Sequence, residues 1–300
     1  PLQGGVEAAA LAFALAPLPA LVAGVLRVSA TREAVDRAPG DAESPLLLLR
    51  HAAPLGLNGL LAAISGRIEL FALQASGMGA LVGPWGGATR IIESLGSLPA
   101  AVAAGAMPAL SRDAAAGRCE AAQRTLGIVI WLGLPAAIGL GLRAPEILSL
   151  LGPGYEAGAP ALRILAIALL FSFVNAVLFH ALIAAQRTLE VPALTAARTL
   201  TSALLVLPLV ARFELSGAAM SFAAGEIVLC GLLLSRLHGP MTLRPWIPLR
   251  KAALAAAPMT LLLLAAGRSL PESILESALV FGIASLIVLR PRATTEAVRA

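Results

Sequence analysis

Two apolar segments of this chain carry charged residues well inside their hydrophobic spans. The first contains Arg67 and Glu69, and the second contains Arg90 and Glu93. Charged side chains are costly in hydrocarbon, so those inside membrane helices usually face a bundle interior or a water-filled cavity. An arginine in such a cavity can bind phosphate through paired hydrogen bonds and a charge that it does not lose. The alternative is a charge-balanced network that ties two helices together, with Arg67 reaching outward to the interface.

The polar residues of the first segment point in two directions on a regular helix. At about 100° per residue, four of them fall within about 40° of one another: Asn58, Ser65, Glu69 and Ser76. Such a stripe favours the protein interior or a wet cavity, because lipid offers no hydrogen-bonding partner. Arg67 points about 160–180° away from the stripe in the same geometry. Either Arg67 and Glu69 face different neighbours, or Gly66 loosens the helix and lets both turn inward.

The second segment predicts a charged pair at a similar depth. Arg90 and Glu93 are three residues apart, so their side chains can meet on one helix face. The two segments run antiparallel and both approach the outer surface between residues 76 and 84. We therefore expect four charged groups in the outer half of the membrane: Arg67, Glu69, Arg90 and Glu93.

Later segments add further candidates. Arg198 lies about six residues into its span and either enters a cavity or reaches back to the interface. Glu226 is a lone acid in an apolar segment, which makes it a candidate site for a proton or a coupling cation. Asn175 and His180 are more typical of hydrogen bonds between helices than of ligand contacts.

The composition is typical of a membrane protein with several spans. Of the 300 residues, 58% are hydrophobic and 13% are charged, whereas soluble domains average about 45–50% apolar and about 25% charged residues. The net charge of +5 comes from arginine-rich loops, so it does not indicate a nucleic-acid partner. The three histidines and two cysteines lack metal-ligand spacing, and neither a Walker loop nor an H-E-x-x-H motif occurs. We therefore predict no metal, no cofactor and no enzymatic activity.

Segments long enough to cross a bilayer, about 20 residues each, predict an all-α polytopic bundle of about nine transmembrane helices. The predicted spans are 8–26, 46–76, 84–110, 125–142, 160–185, 192–211, 216–235, 252–267 and 273–289. Fourteen arginines and lysines lie in the loops on one side, against three on the other. The positive-inside rule makes the richer side cytoplasmic, together with the C-terminus. The chain begins at Pro1 and enters an apolar span without a basic leader, so we expect a fragment of a longer protein rather than a signal peptide.

Four segments in this order resemble the polysaccharide-transporter branch of the multidrug/oligosaccharidyl-lipid/polysaccharide exporter superfamily, the bacterial flippases of lipid-linked oligosaccharides. They read PLGLNGLLAAISGRIELFAL, VGPWGGATRIIESLGSLPAAVAAGAMPALSR, LLGPGYEAGAPALRILAIALLF and ARFELSGAAMSFAAGEIV. The similarity covers residues 46–236 and extends more loosely over the whole chain. The family has two six-helix lobes around a central cationic cavity, often followed by two extra helices.

The resemblance implies three regions. Residues 1–45 correspond to the last helix of the first lobe and a cytoplasmic linker, 46–236 to the six-helix second lobe, and 237–300 to a basic linker and the extra helix pair. The first five helices of the family have no counterpart in this sequence. We therefore do not expect the chain to transport a substrate alone.

The resemblance also implies alternating access, in which the lobes rock around a cavity that holds the pyrophosphate and sugars. The expected partners are an undecaprenyl-pyrophosphate-linked oligosaccharide, the lipid bilayer of the bacterial inner membrane, and a glycan polymerase or other envelope-assembly protein. The family's charged positions in its seventh and eighth helices fall on two pairs here, Arg67 with Glu69 and Arg90 with Glu93. The candidate cavity residues are Arg67, Glu69, Arg90, Glu93, Asn58 and Arg198, with Glu226 as the coupling-ion candidate.

Other functions stay open at the level of the sequence. A peptidoglycan-precursor flippase or a cation-coupled drug exporter of the same superfamily would have the same span pattern. A drug exporter favours acidic groups in its cavity, whereas the arginines here favour an anionic substrate. A membrane enzyme of envelope glycan assembly would need a catalytic His or Asp beside a substantial outer loop, and a scaffold would need no intramembrane charges.

Overall fold

The computed structural model describes residues 19, 22–23, 45–111, 115–238, 243–265 and 270–289. The chain divides into two units, Pro1–His51 and Ala52–Ala300. In the first unit, residues 19, 22–23 and 45–51 are helical. The rest of the predicted 8–26 span and of the arginine-rich linker after it lies outside the described residues. All contacts discussed below belong to the second unit.

Every regular element among the described residues is a helix, which confirms the all-α prediction. Short 3₁₀ turns precede three of the helices. Numbered in chain order, the α-helices are α1 (Pro45–Ser65), α2 (Ile68–Ala75), α3 (Val82–Gly105), α4 (Met107–Leu110), α5 (Ala115–Leu142), α6 (Ala144–Ser149), α7 (Ala159–Ala184), α8 (Val191–Leu237), α9 (Trp246–Ala265) and α10 (Leu270–Leu289).

Five stretches of the described residues are long and apolar enough to cross a membrane: Ala52–Ala75, Gly117–Leu142, Tyr155–Ala184, Thr188–Leu237 and Trp246–Leu264. The predicted spans 84–110 and 273–289 fall outside this set. Polar residues interrupt the first of them, and the apolar part of the second, Ile274–Val288, is shorter. The described part of the chain is therefore built largely from helices suited to a bilayer, and α3 carries the charged residues Arg90 and Glu93 near its middle.

The 47-residue helix α8 is two antiparallel passes joined by a sharp turn. Its backbone leaves helical geometry at Glu214, with φ 49° and ψ −124°. The Ser202 hydroxyl donates to the Ser221 carbonyl, and an added Cβ at Gly217 would overlap the backbone of Leu209. Because partners pair in reverse order around the turn, residues 191–213 and 215–237 form a hairpin. This agrees with the two predicted spans 192–211 and 216–235.

The predicted span 46–76 is broken into α1 and α2 at Gly66 and Arg67. The Arg67 amide bonds to the Ile64 carbonyl, a tighter turn than the α-helical pattern, and Arg67 has φ −116° and ψ −9°. Glycine lowers the local preference for helix, and no intrahelical side-chain bond compensates at this position. The helix is loosened at Gly66, but Arg67 is exposed and Glu69 is buried, so the two side chains face different neighbours, which is the first of the two predicted alternatives.

Helix α3 is about 36 Å long at 1.5 Å per residue, enough to cross a bilayer despite its polar residues. The hydroxyls of Thr89, Ser94 and Ser97 bond to carbonyls three or four residues earlier in the same helix. These bonds satisfy the hydroxyls within the helix, so they need no outside partner. Arg90 and Glu93 are the polar groups that remain directed away from the helix axis.

Helix α7 is the centre of the bundle, packed against α8, α5 and α3. Phe173 of α7 is 1% exposed and lies directly on Gly133 of α5, where any Cβ would overlap its ring. Helix α9 packs along α5 and is held by hydrogen bonds near both of its ends. The Gln123 side chain exchanges two hydrogen bonds with the Arg244 backbone, and Arg143 Nη2 donates to the Leu263 carbonyl.

The turn of the α8 hairpin generates a stability prediction. A non-glycine residue with the backbone of Glu214 is strained by about 1–3 kcal/mol. We expect Glu214→Gly to raise the free energy of unfolding by about 1 kcal/mol, because glycine has no Cβ to strain. Glu214→Ala removes the exposed carboxylate but keeps the Cβ, so it should give no such gain. Denaturant unfolding in detergent micelles measures both, and equal stabilisation by the two variants would contradict the explanation.

Candidate functional site

The charged residues that the sequence singled out lie on two sides of the short helix α2. On one side is a buried network formed by Ser65, Glu69, Asn175, Arg198 and Glu226. On the other is a polar cleft between α2 and α3, lined by Arg67, Arg90, Glu93, Trp85 and Tyr155. The similar depth of Glu69, Arg90 and Glu93 had predicted that they would lie together. In the structure, Glu69 instead lies on the opposite side of α2 from Arg90 and Glu93. Depth along a helix does not fix the direction in which a side chain points.

Arg198 is the hub of the buried network. Its Nε donates to Glu226 Oε1 at 2.7 Å, and its Nη1 donates to Ser65 Oγ at 2.6 Å. Asn175 of α7 donates from Nδ2 to Glu226 Oε2 at 2.8 Å and to the Glu226 carbonyl at 3.0 Å. Both carboxylate oxygens of Glu226 are thus engaged by protein donors. Of the predicted alternatives for Arg198, a buried position is observed rather than an extension to the interface.

Glu69 is the second acid of the network and is only 2% exposed. It faces Arg198 and Ser202 of α8, with Glu226 also within electrostatic range. Its Oε1 has no hydrogen-bond partner. Glu69 follows Ser65 by four residues. Both side chains are directed toward α8, although the helix is broken between them at Gly66. The predicted polar stripe is thus internal at Ser65 and Glu69.

Asn58 continues the polar contact along α1. Its Oδ1 accepts a hydrogen bond from Thr195 Oγ1, which lies one turn before Arg198 on α8. Asn58 is half-buried, whereas Ser76 at the other end of the predicted stripe is exposed. The stripe therefore ends at Glu69, and α1 and α2 are joined to α8 by side-chain bonds along its length.

Close approach of the two halves of α8 places Arg198 against Glu226. A Cβ added at Gly225 would lie 3.0 Å from Ser202 Oγ and 3.2 Å from the Arg198 carbonyl oxygen. The Phe222 ring lies one turn away, with its centroid 5.1 Å from Arg198 Cζ. A cation over an aromatic face is stabilised further when water is excluded. Glycine at 225 thus permits the ion pair, and Phe222 covers it.

The polar cleft has a volume of ≈ 490 Å³. Arg90 Nη1 lies 3.7 Å from Glu93 Oε2, and the two side chains are 77% and 60% exposed. Arg67 is also exposed at the mouth of the cleft. This site is open and its ion pair is long, so its donors are available to a ligand. Such an arrangement can bind an anion, since two guanidinium groups and one carboxylate leave an excess of positive charge.

Tyr155 completes the wall of the cleft and was not among the predicted site residues. It lies in the turn between α6 and α7, where Gly152 and Gly154 have φ of 125° and 89°. Its ring rests on Gly87 of α3, where a Cβ would come within 2.7 Å of it. The sequence signal was a single tyrosine in a glycine-rich outer loop, which the sequence analysis treated as a surface segment without a site.

Two further residues have contacts that bear on their predicted roles. Asn175 bridges α7 to α8, as expected for a residue that joins helices. His180 instead directs Nδ1 at the Ala176 carbonyl of its own helix, at 2.7 Å. Of these two residues, Asn175 belongs to the buried network, whereas His180 bonds within its own helix.

Comparison with known proteins identifies the fold. No protein-family model matches the sequence, and no curated protein matches it either. Solved structures do match. One is the lipid II flippase MurJ in an inward closed conformation, with a TM-score of 0.71 and 16% identity over 80% of this chain and 53% of that one. Another is a multidrug resistance MATE transporter of the MOP superfamily in an outward-facing conformation, with a TM-score of 0.58 and 15% identity over 72% of this chain and 52% of that one.

A third match is a MOP superfamily transporter from Pyrococcus furiosus, described for the reverse polarity of its binding pocket. Its TM-score is 0.57 and its identity 15%, over 80% of this chain and 61% of that one. The chain thus spans between half and two thirds of the length of these transporters. At such low identity the similarity establishes a shared fold, that of MOP superfamily transporters.

The packing at Gly225 can be tested against a matched glycine on the same helix. We expect Gly225→Val to lower the free energy of unfolding by about 1–3 kcal/mol, because its methyl groups would overlap Arg198 and Ser202. Gly231→Val is the control, since a Cβ there meets nothing within 4 Å. Both substitutions change helix propensity equally, so their difference in denaturant unfolding isolates the packing. Equal stabilities would show that the halves of α8 are not in close contact at this position.

Proposed function

We propose that this chain forms part of a membrane transporter of the MOP superfamily that moves a lipid-linked, anionic oligosaccharide across the bacterial cytoplasmic membrane by alternating access. In this proposal, residues 46–236 are the second lobe, and α9 and α10 are the extra helix pair. The fold shared with solved transporters supports the class of function. The polar cleft supports the class of substrate.

The exposure of the cleft is the observation that carries the proposal. Arg90 and Glu93 are largely exposed on α3, which packs against α7, a helix suited to a bilayer. Charges of this kind directed at hydrocarbon would be costly, so this face of α3 must border water or further protein. In a transporter with two lobes, that is the face that borders the central cavity. In this proposal, the helix face that carries Arg90 and Glu93 lines the transport path.

The charge of the cleft favours an anionic substrate. Arg67 and Arg90 contribute two guanidinium groups to one carboxylate from Glu93. Guanidinium groups bind phosphate oxygens in pairs, and a pyrophosphate offers several such oxygens. The half-buried ring of Tyr155 provides an apolar wall suited to the face of a sugar. A cation-coupled drug exporter, the more distant alternative, would be expected to have the opposite balance of charge.

A peptidoglycan-precursor flippase is the second candidate, and one observation favours it. The structural similarity to MurJ has a TM-score of 0.71, against 0.58 for the multidrug transporter. Both candidates move an anionic lipid-linked saccharide, so the proposed roles of the cleft arginines are the same. They differ in the saccharide.

The buried residues have a different proposed role from the cleft residues. Asn58, Glu69 and Arg198 are bonded within the bundle or buried, so they do not line the polar cleft. We assign them to positioning α1 and α2 against α8 rather than to substrate contact. Arg67 and Arg90 are the proposed substrate ligands, and Glu93 orients Arg90.

Binding to the chain in lipid nanodiscs tests the substrate class. We expect Arg67→Gln and Arg90→Gln each to weaken binding of undecaprenyl-pyrophosphate-linked saccharide by about 10–100-fold, since a hydrogen bond to a charged group contributes about 1.5–3 kcal/mol. Native mass spectrometry measures the affinity, with undecaprenol as a ligand that lacks phosphate. Arg212→Gln is the control, because Arg212 lies at the turn of α8, beside Phe213. Unchanged affinity in both cleft variants would remove these arginines from the site.

Translocation in the complete gene product distinguishes the candidate functions. Vesicles would be supplied with lipid II, with a lipid-linked O-unit oligosaccharide or with a cationic drug, and transport of each measured. Transport of either lipid-linked saccharide supports the proposal and identifies the substrate. Transport of the cationic drug alone would contradict it.

A further inference from the structure

The buried network contains two carboxylates and one guanidinium. Glu69 and Glu226 are 2% and 5% exposed, and Arg198 is the cation bonded within the network. An ionised carboxylate that is buried without a partner is strongly unfavourable, and such a group takes up a proton or pairs with a cation instead. The described structure of the network therefore lacks one positive charge.

The two acids are not equivalent. Glu226 accepts from Arg198 at Oε1 and from Asn175 at Oε2, so both of its oxygens are used. Glu69 faces Arg198, but Nε and Nη1 of Arg198 donate to Glu226 and Ser65. The Oε1 atom of Glu69 is buried and has no partner. The missing charge therefore belongs at Glu69.

Among the described residues, the elements packed most extensively against α2 provide no other compensating cation. These elements are α8, α3 and the 3₁₀ turn Gly79–Leu81. On α8 the titratable groups near the network are Arg198, Glu226 and Cys230, and Cys230 is not a source of positive charge. On α3, Arg90 and Glu93 line the polar cleft on the other side. The turn Gly79–Leu81 carries no charged residue, and His180 of α7 bonds its own helix.

We propose that Glu69 is an intramembrane proton-binding site, with Arg198 serving as the built-in cation of Glu226. The proton comes from water and binds the Glu69 carboxylate, giving a neutral carboxyl group and a network without net charge. A metal cation fits less well, because the guanidinium of Arg198 repels it and the close packing around Gly225 leaves little room for a ligand shell. The sequence had pointed to Glu226 for this role.

Loss of the proton would redistribute the bonds of Arg198. An ionised Glu69 competes with Glu226 for the same guanidinium, and Ser65, which accepts from Arg198 Nη1, precedes Glu69 by one turn. Protonation of Glu69 therefore decides whether Arg198 holds the α8 hairpin together or binds α2. This inference concerns the chain itself and does not depend on the proposed substrate.

Infrared spectroscopy of the chain in nanodiscs tests the proposal through the C=O stretch of protonated carboxyl groups, which shifts on exchange into D2O. At neutral pH we expect one such buried carboxyl. Glu69→Gln should abolish its band, and Glu226→Gln should also abolish it, because Arg198 is then free to pair with an ionised Glu69. Arg198→Gln should give about twice the band area, since both acids then lack a cation.

Two further variants locate the proton and control for unfolding. Glu69→Asp should shift the band while Glu226→Asp leaves it in place, and both retain a carboxyl group. Glu93→Gln, in the exposed cleft, should leave the band unchanged, and far-ultraviolet circular dichroism checks that each variant is folded. Persistence of the wild-type band in Glu69→Gln, a shift in Glu226→Asp alone, or loss of the wild-type band on adding sodium would each overturn the proposal.

Discussion

The ion pair between Arg198 and Glu226 is the interaction on which the rest of this bundle depends. It joins the two halves of α8, and its neighbours Ser65 and Asn175 extend the same set of bonds to α1 and α7. Removing one partner of a buried pair typically costs about 3–5 kcal/mol, because the remaining charge is left without compensation. The pair therefore acts mainly by excluding other arrangements. In the arrangement observed, α1, α7 and the α8 hairpin together satisfy both charged groups.

Small residues make that orientation possible. Glycine at 225 lets the halves of α8 approach, and glycine at 133 accepts the ring of Phe173. In a bilayer the lipid is as apolar as the side chains, so helices associate through close packing and hydrogen bonds rather than through hydrophobic burial. Close packing and hydrogen bonding also account for α3, in which the Thr89 hydroxyl bonds to its own helix and Gly87 accommodates the ring of Tyr155.

The sequence predicted the class of the protein because that depends on composition and length. Apolar segments of the right length predicted most of the helices suited to a bilayer. The short gap between the predicted spans 192–211 and 216–235 predicted the hairpin. Side-chain contacts between helices could not be predicted. The helical period gives the direction of each side chain around its own helix axis, but not how that helix is rotated against its neighbour. Asn175 and Glu226 are 51 residues apart, and nothing in either segment indicates their contact. Likewise the period placed Arg67 and Glu69 on opposite faces, but the neighbour of each became evident only from the packing.

Helix α2 connects the two sites, because it is short and carries a functional candidate on each side. Arg67 immediately precedes its first residue and lines the cleft, whereas Glu69 lies in its first turn and faces Arg198. Eight residues make about two helical turns, too few for one end to move without the other. The break at Gly66 frees α2 from the rotation of α1. In the proposed proton site, a change in the electrostatic contact between Glu69 and Arg198 would therefore also shift Arg67 against Arg90. On this basis the proposed proton site at Glu69 and the proposed anion site in the cleft are linked through one rigid element.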